Sequence, residues 1–381
     1  MNRQSPTGNP PPVHRLVVRG VNWLGDAVMT TPALLRLRER LPEAHIAMLT
    51  PERLEDLWRR HPAVDQTIGV APAESLLSVS RRLSTGRFDR AVVLPNSPRA
   101  ALEVWLARIP QRIGYARPWR NWFLTQLVEP RPGAVPMRKR SVAEIKQIVR
   151  SPTDTTHNSQ LTTHSFSAHQ IHEYLHLVAA GFDANPEPVP PRLFVQPDEL
   201  EAARNKFGLA DLTNPLFGMS PGAEYGPAKR WPVERFIAAA REIQNRTHCL
   251  WLILGGRGDA GIARQIESVL RPPSSALRNL AGRTSLRELC ALLKLCRVLL
   301  TNDTGTMHVA AALATPVVAL FGSTSPELTG PGLPGDPSHS LLNSGAPCSP
   351  CFLRQCPIDF RCMTRISVER VVATVLETFN R

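Results

Sequence analysis

Short apolar runs alternate with helical patterns through most of the first half of the chain. Strand-like runs lie at 15–19, 45–49, 66–70, 90–94 and 111–115. Helical patterns lie at 26–40, 51–60, 73–83 and 97–107. Because strands that alternate with helices form parallel sheets covered by helices, this half predicts an α/β domain with a doubly wound sheet.

The same alternation returns in the second half. Its strand-like runs lie at 215–219, 249–254, 297–301 and 316–321. Its helical patterns lie at 232–246, 258–270, 285–294 and 305–313, and an amphipathic helix is predicted at 366–380. A further helix, predicted at 168–181, precedes this half. Two similar α/β halves in one chain predict two domains with a ligand-binding cleft between them.

Composition sets the domain boundaries. A polar, Pro-rich stretch predicts a disordered tail, and a Ser-, Thr- and His-rich stretch, densest at 150–167, predicts a mobile insertion. The Pro-rich run near 185–197 predicts an approach to an interdomain linker. The resulting boundaries are a tail at 1–12, domains at 13–190 and 191–365, an insertion at about 138–167 and a carboxy-terminal helix at 366–381.

Length and hydropathy favour a soluble, cytoplasmic protein. The 381 residues are 43% hydrophobic, which exceeds one ordinary core and suits two domains. The longest apolar stretch, 307–322, contains His308 and Pro316 and is too short to span a bilayer. No signal-peptide pattern is present at the start of the sequence.

Positive charge is concentrated in the first half. Residues 1–150 hold 24 Lys and Arg against 12 Asp and Glu, whereas residues 151–381 hold 21 against 20. We therefore expect the amino-terminal half to meet an anionic partner, such as nucleic acid, an acidic substrate or a membrane surface. An Arg-rich but functionally neutral surface explains the same numbers equally well.

The motif NDTGTMHVAAAL at 302–313 is the strongest chemical signal. It places a Gly and two hydroxyls at the junction of a buried strand and a helix, where free N–H groups and the helix dipole bind phosphate. Its candidate donor-binding residues are Asp303, Thr304, Gly305, Thr306 and His308. For Asp303 a plain N-cap is the alternative, and for His308 a satisfied helix histidine.

Two further loops follow predicted strands of the same sheet. In SPGAEYGPAKRWP, at 220–232, the candidates are Ser220, Gly222 and Lys229, because loop amides and a Lys balance a diphosphate. In ILGGRGDAG, Gly255 and Gly256 permit close approach of a nucleoside, and Arg257 or Asp259 is placed to contact it. Helix-entry loops with a solvated Lys are the alternative.

The stretch VNWLGDAV at 21–28 puts a carboxylate where a nucleotide-binding turn carries glycine. Asp26 begins a helix, and we expect the helix dipole to lower its pKa and keep it ionised. Such a carboxylate suits a general base toward a hydroxyl, although an N-cap explains it equally well.

Polar residues after the fourth strand-like run, with neighbours of Asp26, suggest a binding surface for a hydroxyl-rich or phosphorylated acceptor. These candidates are Asn22, Trp23, Asn96, Ser97, Arg99 and Arg117, with Arg112 and Arg120 extending the basic rim.

Four of the seven cysteines fall within CSPCFLRQCPIDFRC: Cys348, Cys351, Cys356 and Cys362. One C-x2-C followed by looser spacing permits a zinc site but does not require one. Free or structural thiols are the favoured interpretation in a reducing compartment.

The chain resembles the heptosyltransferases of glycosyltransferase family 9, with the heptosyltransferase II type as the nearest. The resemblance rests on motifs that occur in the order of the family and span most of the chain. They are WLGDAVMTTPALLRLRERLP, VVLPNSPRAALEVWLARIPQRIGYAR, SPGAEYGPAKRWPVERF, NDTGTMHVAAALATPVVALFGSTSPELTGP and CSPCFLRQCPIDFRCM.

The resemblance implies a GT-B fold of two Rossmann-like domains facing a cleft, with a carboxy-terminal domain for the sugar nucleotide and an amino-terminal domain for the acceptor. It implies a last helix that can cross back onto the first domain. It also implies inverting transfer of heptose from ADP-heptose to the inner core of lipopolysaccharide, with neither cofactor nor metal. Asp26 matches the general base of the family and Lys229 its diphosphate ligand.

Further expectations concern location and alternatives. The enzyme would work at the cytoplasmic face of the inner membrane, in peripheral contact with it and with no nucleic-acid partner. Arg257 stands where some members carry an acidic ribose ligand. The alternatives are a GT-B enzyme with another nucleotide-sugar donor and a basic nucleic-acid-binding protein with a zinc module.

Overall fold

The computed structural model of the protein describes residues 13–150, 168–270 and 277–381. The predicted tail at 1–12 and residues 151–167 of the predicted insertion lie outside these residues. In the described ranges, no helix combines the length and apolarity needed to cross a bilayer.

Twelve strands are present in the described residues. They are β1 (Arg15–Arg19), β2 (His45–Pro51), β3 (Gln66–Val70), β4 (Arg90–Val93), β5 (Gln111–Tyr115), β6 (Gln126–Val128), β7 (Leu216–Ser220), β8 (Leu250–Ile253), β9 (Leu277–Asn279), β10 (Val298–Asn302), β11 (Val317–Phe321) and β12 (His339–Asn343).

The same ranges also contain α-helices. They are α1 (Leu24–Met29), α2 (Thr31–Arg40), α3 (Glu55–Trp58), α4 (Leu76–Thr85), α5 (Pro98–Leu106), α6 (Val142–Arg150), α7 (Ile171–Phe182), α8 (Pro197–Lys206), α9 (Val233–Thr247), α10 (Ala260–Leu270), α11 (Leu286–Leu295), α12 (Gly305–Ala312), α13 (Pro326–Thr329), α14 (Arg361–Thr364) and α15 (Val368–Asn380).

The strands form two parallel six-stranded sheets with the same topology. The first has the order β3-β2-β1-β4-β5-β6, and the second has the order β12-β11-β10-β7-β8-β9. Each is the Rossmann order: the first three strands are added on one side of the sheet, and the next three are added on the other side of its first strand. This confirms the predicted α/β fold of two Rossmann-like sheets, the GT-B class.

Two compact units contain these sheets. Of the described residues, the amino-terminal unit contains those up to Asn22 and those in Leu34–Pro130 and His176–Pro186. The carboxy-terminal unit contains the described residues in Trp23–Ala33, Arg131–Leu175 and Glu187–Arg381. This division differs from the predicted boundary near 190, because α1 packs against α12 and Ile145, in the segment after Pro130, is buried in the core of the second sheet.

The predicted helix at 26–40 is two helices. Pro32 has no N–H and cannot donate to the carbonyl of Val28, so continuous α-helical bonding is interrupted there. The Thr31 hydroxyl donates to that carbonyl instead, at 2.8 Å. The break sets α1 apart as a short element.

Buried side chains of the second sheet form a core with residues from its flanking helices. Phe217, Trp251 and Leu300 belong to this core, and Ile145 of α6 is buried in it. Residues 142–150 of the predicted insertion are therefore an ordered helix of the carboxy-terminal unit.

The last helix also buries its apolar face in this core. Val371, Val372 and Val375 of α15 are inside it, and α15 packs against α9 and β11. The structure thus places the helix on the second sheet, and its return to the amino-terminal domain stays a prediction.

Candidate functional site

The site lies at the carboxyl edge of the second sheet, where β7 and β10 are neighbours. Ligands bind at this position in open α/β sheets because the adjacent connections diverge there. Asn302, at the end of β10, fixes the loop that follows β7. Its side-chain amide donates to the carbonyl of Pro221 at 2.7 Å and its oxygen accepts from the Trp231 N–H at 3.0 Å.

A buried ion pair joins the two loops. Lys229 Nζ lies 2.6 Å from Asp303 Oδ2, and the side chains are 13% and 4% exposed. The Thr324 hydroxyl, which follows β11, donates to the same oxygen at 2.5 Å. Asp303 therefore orients the ammonium group of Lys229, and the N-cap alternative for Asp303 is not observed.

An aromatic ring supports Lys229 from the other side. The ammonium group lies 4.9 Å from the centre of the Tyr225 ring, and the Arg354 guanidinium lies 5.3 Å from that centre. The Tyr225 hydroxyl donates to the carbonyl of Phe352 at 2.7 Å, which holds the ring in place. Two cations thus share one ring at the edge of the site.

The amino terminus of α12 completes this edge. Thr304 is its N-cap, with extended backbone angles and no side-chain capping bond. The first N–H groups of a helix have no partner within the helix and carry the positive end of its dipole. With the hydroxyls of Thr304 and Thr306, they form the donor set expected for a phosphate.

Short helix α1 packs against α12 through two glycines. A Cβ on Gly25 would lie 2.7 Å from Cδ2 of His308, and a Cβ on Gly305 would lie 2.9 Å from Cβ of Leu24. Both distances are too short for an ordinary contact, so only glycine permits this approach. It brings the first turn of α1, which contains Asp26, beside the first turn of α12.

The pKa of Asp26 is raised from 3.8 to about 6. Burial of the carboxylate is the main cause. The positive charge of Lys229 opposes the shift, and the negative charge of Asp303 adds to it. The expectation that the helix dipole would lower this pKa is therefore wrong, because desolvation outweighs a dipole worth about 0.3–1 kcal/mol.

The N-cap alternative for Asp26 is also not observed. Trp23 is the N-cap of α1, and Asp26 lies inside the first turn. Its position puts the carboxylate among the residues that line the cavity described below.

His308 is neutral at physiological pH. Its burial lowers the pKa to about 4, although the nearby Asp303 favours the charged form. An imidazole in this state packs against α1 and contributes no net charge to the site.

The glycine-rich loop after β8 is closed by its own carboxylate. Asp259 Oδ2 accepts from the N–H of Gly256 at 2.9 Å, and the same side chain lies against Gly222 and Gly255. Asp259 thus turns inward to backbone, whereas Arg257 is an exposed residue of the cavity wall.

These loops surround a cavity of about 960 Å³ within the carboxy-terminal unit. Most predicted residues of the site line it, and they are Trp23, Asp26, Lys229, Gly255, Gly256, Asp303, Thr304, Gly305, Thr306 and His308. Ser220 is buried within β7, and neither it nor Gly222 is among the lining residues.

Other lining residues were missing from the sequence prediction. They include Lys139, Gln170, Tyr225, Thr324 and Arg354. Thr324 follows β11 at the same sheet edge, so the strand-end rule could have found it. No comparable signal marked Lys139 and Gln170, which come from the segment after Pro130.

The predicted acceptor residues other than Trp23 lie in the amino-terminal unit. Ser97 is the N-cap of α5 and accepts from the Ala100 N–H, and Asn96 accepts from Arg120 at 3.2 Å. The Asn22 carbonyl accepts from Arg53 at 2.8 Å.

Arg99 and Arg117 also have structural contacts. Arg99 donates to Glu103 at 3.2 Å, and the Arg117 guanidinium lies 5.7 Å from the centre of the Tyr115 ring. Asn96, Ser97 and Arg117 stand beyond the carboxyl ends of β4 and β5, which are neighbours in the first sheet.

The cysteines of residues 348–362 are not arranged as the ligands of a metal ion. In the part of the chain that the structure describes, no group of three or more His, Cys, Asp or Glu side chains is placed to hold a metal ion. Cys348, Cys351 and Cys362 are buried in the core of the carboxy-terminal unit, and burial raises their pKa values, that of Cys362 to about 12. All are free thiols.

The chain matches the model of glycosyltransferase family 9 (heptosyltransferase) over residues 150–360. It is 31% identical to lipopolysaccharide heptosyltransferase 2 of Escherichia coli over 328 residues, covering 83% of this chain and 85% of that protein. It is 31% identical to lipooligosaccharide heptosyltransferase 2 of Haemophilus ducreyi, covering 83% and 86%.

The solved structure of E. coli ADP-heptose lps heptosyltransferase II superposes with a TM-score of 0.75 at 27% identity, covering 96% of this chain and 98% of that chain. Sequence and fold therefore agree over nearly the whole protein, and the chain belongs to glycosyltransferase family 9, the heptosyltransferase family.

Proposed function

We propose that this enzyme transfers heptose from ADP-heptose to the inner core of lipopolysaccharide, with inversion at the anomeric carbon. Support comes from the family match and from relatives named as heptosyltransferases that act on lipopolysaccharide or lipooligosaccharide. The solved structure of similar fold is named for ADP-heptose.

In this proposal the cavity of the carboxy-terminal unit binds the donor. The diphosphate contacts Lys229, the hydroxyls of Thr304 and Thr306, and the first N–H groups of α12. The nucleoside lies along Gly255 and Gly256. The positive charges of Lys229 and of the helix dipole stabilise the negative charge that develops on the departing ADP, so in this proposal the leaving group needs no metal ion.

Asp26 acts as the general base. Its carboxylate takes the proton from an acceptor hydroxyl while that oxygen attacks the anomeric carbon from the face opposite ADP. The transition state resembles an oxocarbenium ion, as in glycoside hydrolysis. A pKa of about 6 leaves Asp26 ionised at neutral pH and more basic than an exposed carboxylate.

The amino-terminal unit binds the acceptor. Asn22, Asn96, Ser97, Arg99 and Arg117, with Trp23, are the candidate contacts. The positive charge of residues 1–150 suits a phosphorylated inner core presented at the cytoplasmic face of the inner membrane. Peripheral contact with that membrane is part of the proposal.

The observation that carries this proposal is one cavity lined by Asp26, the Lys229–Asp303 pair and the amino terminus of α12. The test incubates purified enzyme and an inner-core acceptor with ADP-heptose, ADP-glucose or a UDP-sugar, and follows both ADP release and product mass. Heptosylated product from ADP-heptose alone is expected. Efficient transfer from another donor would show that the assignment of ADP-heptose as the donor is wrong.

The role of Asp26 is tested separately. Asp26→Ala is expected to lower turnover by about two to four orders of magnitude while ADP still binds. Unchanged turnover would remove Asp26 from the chemistry.

A further inference from the structure

Two tryptophans of the amino-terminal unit stand almost entirely in solvent. Trp119 and Trp122, in the loop after β5, are 85% and 89% exposed. Tryptophan is usually well buried, and paired large aromatic side chains on a surface typically mark a site of interaction. Neither residue lines the donor cavity.

The loop that carries them is firmly held from beneath. Arg120, between the two tryptophans in sequence, is fully buried and donates to the carbonyl of Pro95 at 2.6 Å and to Asn96. Asn121 accepts from the Arg117 N–H at 2.8 Å. The exposure of the rings therefore results from an ordered backbone.

Trp119 has a backbone φ of +65°. A bulky residue rarely adopts this left-handed conformation, which is strained, and such strain is found mainly where function requires it. In Trp119 the strained backbone carries an indole ring that is exposed to solvent and contributes little to the core.

The surroundings of the two rings are aromatic and positively charged. Trp105 of α5 is 44% exposed and packs edge-on against Phe123, with ring centres 5.7 Å apart. Residues 105–128 contain four arginines and no acidic residue. Of these arginines, Arg108 is exposed and Arg117 is half-buried beside the loop.

We propose that Trp105, Trp119 and Trp122, with Arg108 and Arg117, dock the enzyme on an anionic lipid bilayer. Indole rings settle at the level of the lipid headgroups because they combine a large apolar surface with one polar N–H. Guanidinium groups beside them attract anionic phosphates, and the two effects together give reversible binding.

This inference rests on the proposed function in one respect, because it assumes that the acceptor is linked to a lipid. The Trp119–Trp122 loop follows β5, and Arg120 ties it to Asn96 after β4. Binding of the loop to a bilayer would place the candidate acceptor residues near headgroups, where such an acceptor emerges.

A single-stranded nucleic acid is a second class of partner for aromatic and cationic side chains. It requires a row of available cations that follows a phosphate backbone. Arg120 is turned inward and Arg112 donates to the carbonyl of Phe123 at 2.7 Å, so neither lies in such a row. The positions of these arginines thus favour a planar lipid surface over a nucleic-acid strand as the partner.

The test is sedimentation of the full chain with vesicles of phosphatidylglycerol and phosphatidylethanolamine, compared with phosphatidylcholine vesicles. The variant replaces both Trp119→Ser and Trp122→Ser. The matched control is Leu77→Ser, because Leu77 is a 58% exposed apolar residue of α4 in the same unit.

Wild type is expected to bind the anionic vesicles, more weakly as salt rises. The double variant should lose at least about tenfold in partition coefficient, and the control should stay within about twofold. Equal binding by the double variant and wild type would overturn the proposal, as would stronger retention of single-stranded DNA than of vesicles. A loop-dependent change in oligomeric state without vesicle binding would also overturn it.

A second measurement does not depend on the folding of the variant. Brominated lipids should quench the tryptophan fluorescence of wild type on anionic vesicles, and absence of quenching would contradict insertion of the rings. Heptose transfer to a delipidated oligosaccharide acceptor separates the two proposals. Transfer without vesicle binding would refute the docking proposal alone. Vesicle binding without transfer would refute the proposed function alone.

Discussion

Replacement of Asp26 by Asn should stabilise the protein while it lowers turnover by about two to four orders of magnitude. In the folded state the pKa of Asp26 is about 6, against 3.8 for the free side chain, mainly because the carboxylate is buried. Between these two values the folded state holds a proton that the unfolded state has released. Stability contributed by the neutral form is therefore lost as the pH rises through this window.

The magnitude follows from the size of the shift. About two pH units, at 1.36 kcal/mol each, correspond to roughly 3 kcal/mol. If Asn resembles the protonated side chain, linkage predicts an advantage of about 1.5 kcal/mol for Asp26→Asn at pH 5 and about 3 kcal/mol from pH 7 upward. An advantage of this size corresponds to a melting temperature higher by roughly 5–10 °C.

The assay is denaturant unfolding of Asp26→Asn and wild type at several pH values from 5 to 8, with heptose transfer measured in parallel. Asp211→Asn is the control, because Asp211 is an exposed carboxylate of the same unit. The control should show no advantage that grows with pH. A difference between Asp26→Asn and wild type that stays constant with pH, or a less stable Asn variant, would refute the reasoning.

Three other predictions concern the same cavity. The value of kcat/KM should rise with pH through an apparent pKa of about 6 and then level off as Asp26 ionises, whereas a rate that falls over pH 5–7 would contradict its role as a base. Lys229→Ala should weaken ADP binding by about 10- to 100-fold in calorimetry, with a smaller loss for Lys229→Arg, and equal affinities would remove the ammonium group from the donor site. Gly25→Ala should lower the free energy of unfolding by about 1–3 kcal/mol, because its Cβ would lie 2.7 Å from His308. The control Gly261→Ala meets nothing within 4 Å and should be neutral or stabilising, so similar effects of the two changes would count against tight packing of α1 on α12.

Strand positions near the middle of each sheet followed directly from the sequence. Central strands of a parallel sheet are buried on both faces, so β1, β7 and β10 appear as continuous apolar runs between polar loops. The edge strands β6, β9 and β12 escaped prediction. Two of them are only three residues long, and a strand at an edge needs fewer apolar residues.

The donor loops were also predictable one by one. Each follows a buried strand, and the carboxyl ends of parallel strands meet at one edge of a sheet. That rule predicts that Lys229 and Asp303 lie close together, and the structure joins them in an ion pair of 2.6 Å.

By itself, the sequence determined the α/β class, the central strands and the loops after them, because these depend on local periodicity and on short-range turn chemistry. Only the tertiary structure decided that α1 packs on α12, that α6 and α15 belong to the second core, and that Asp26 has a raised pKa. Each of these depends on which distant side chains exclude water from a group. Burial is a property of the packed molecule, so no local pattern could report it.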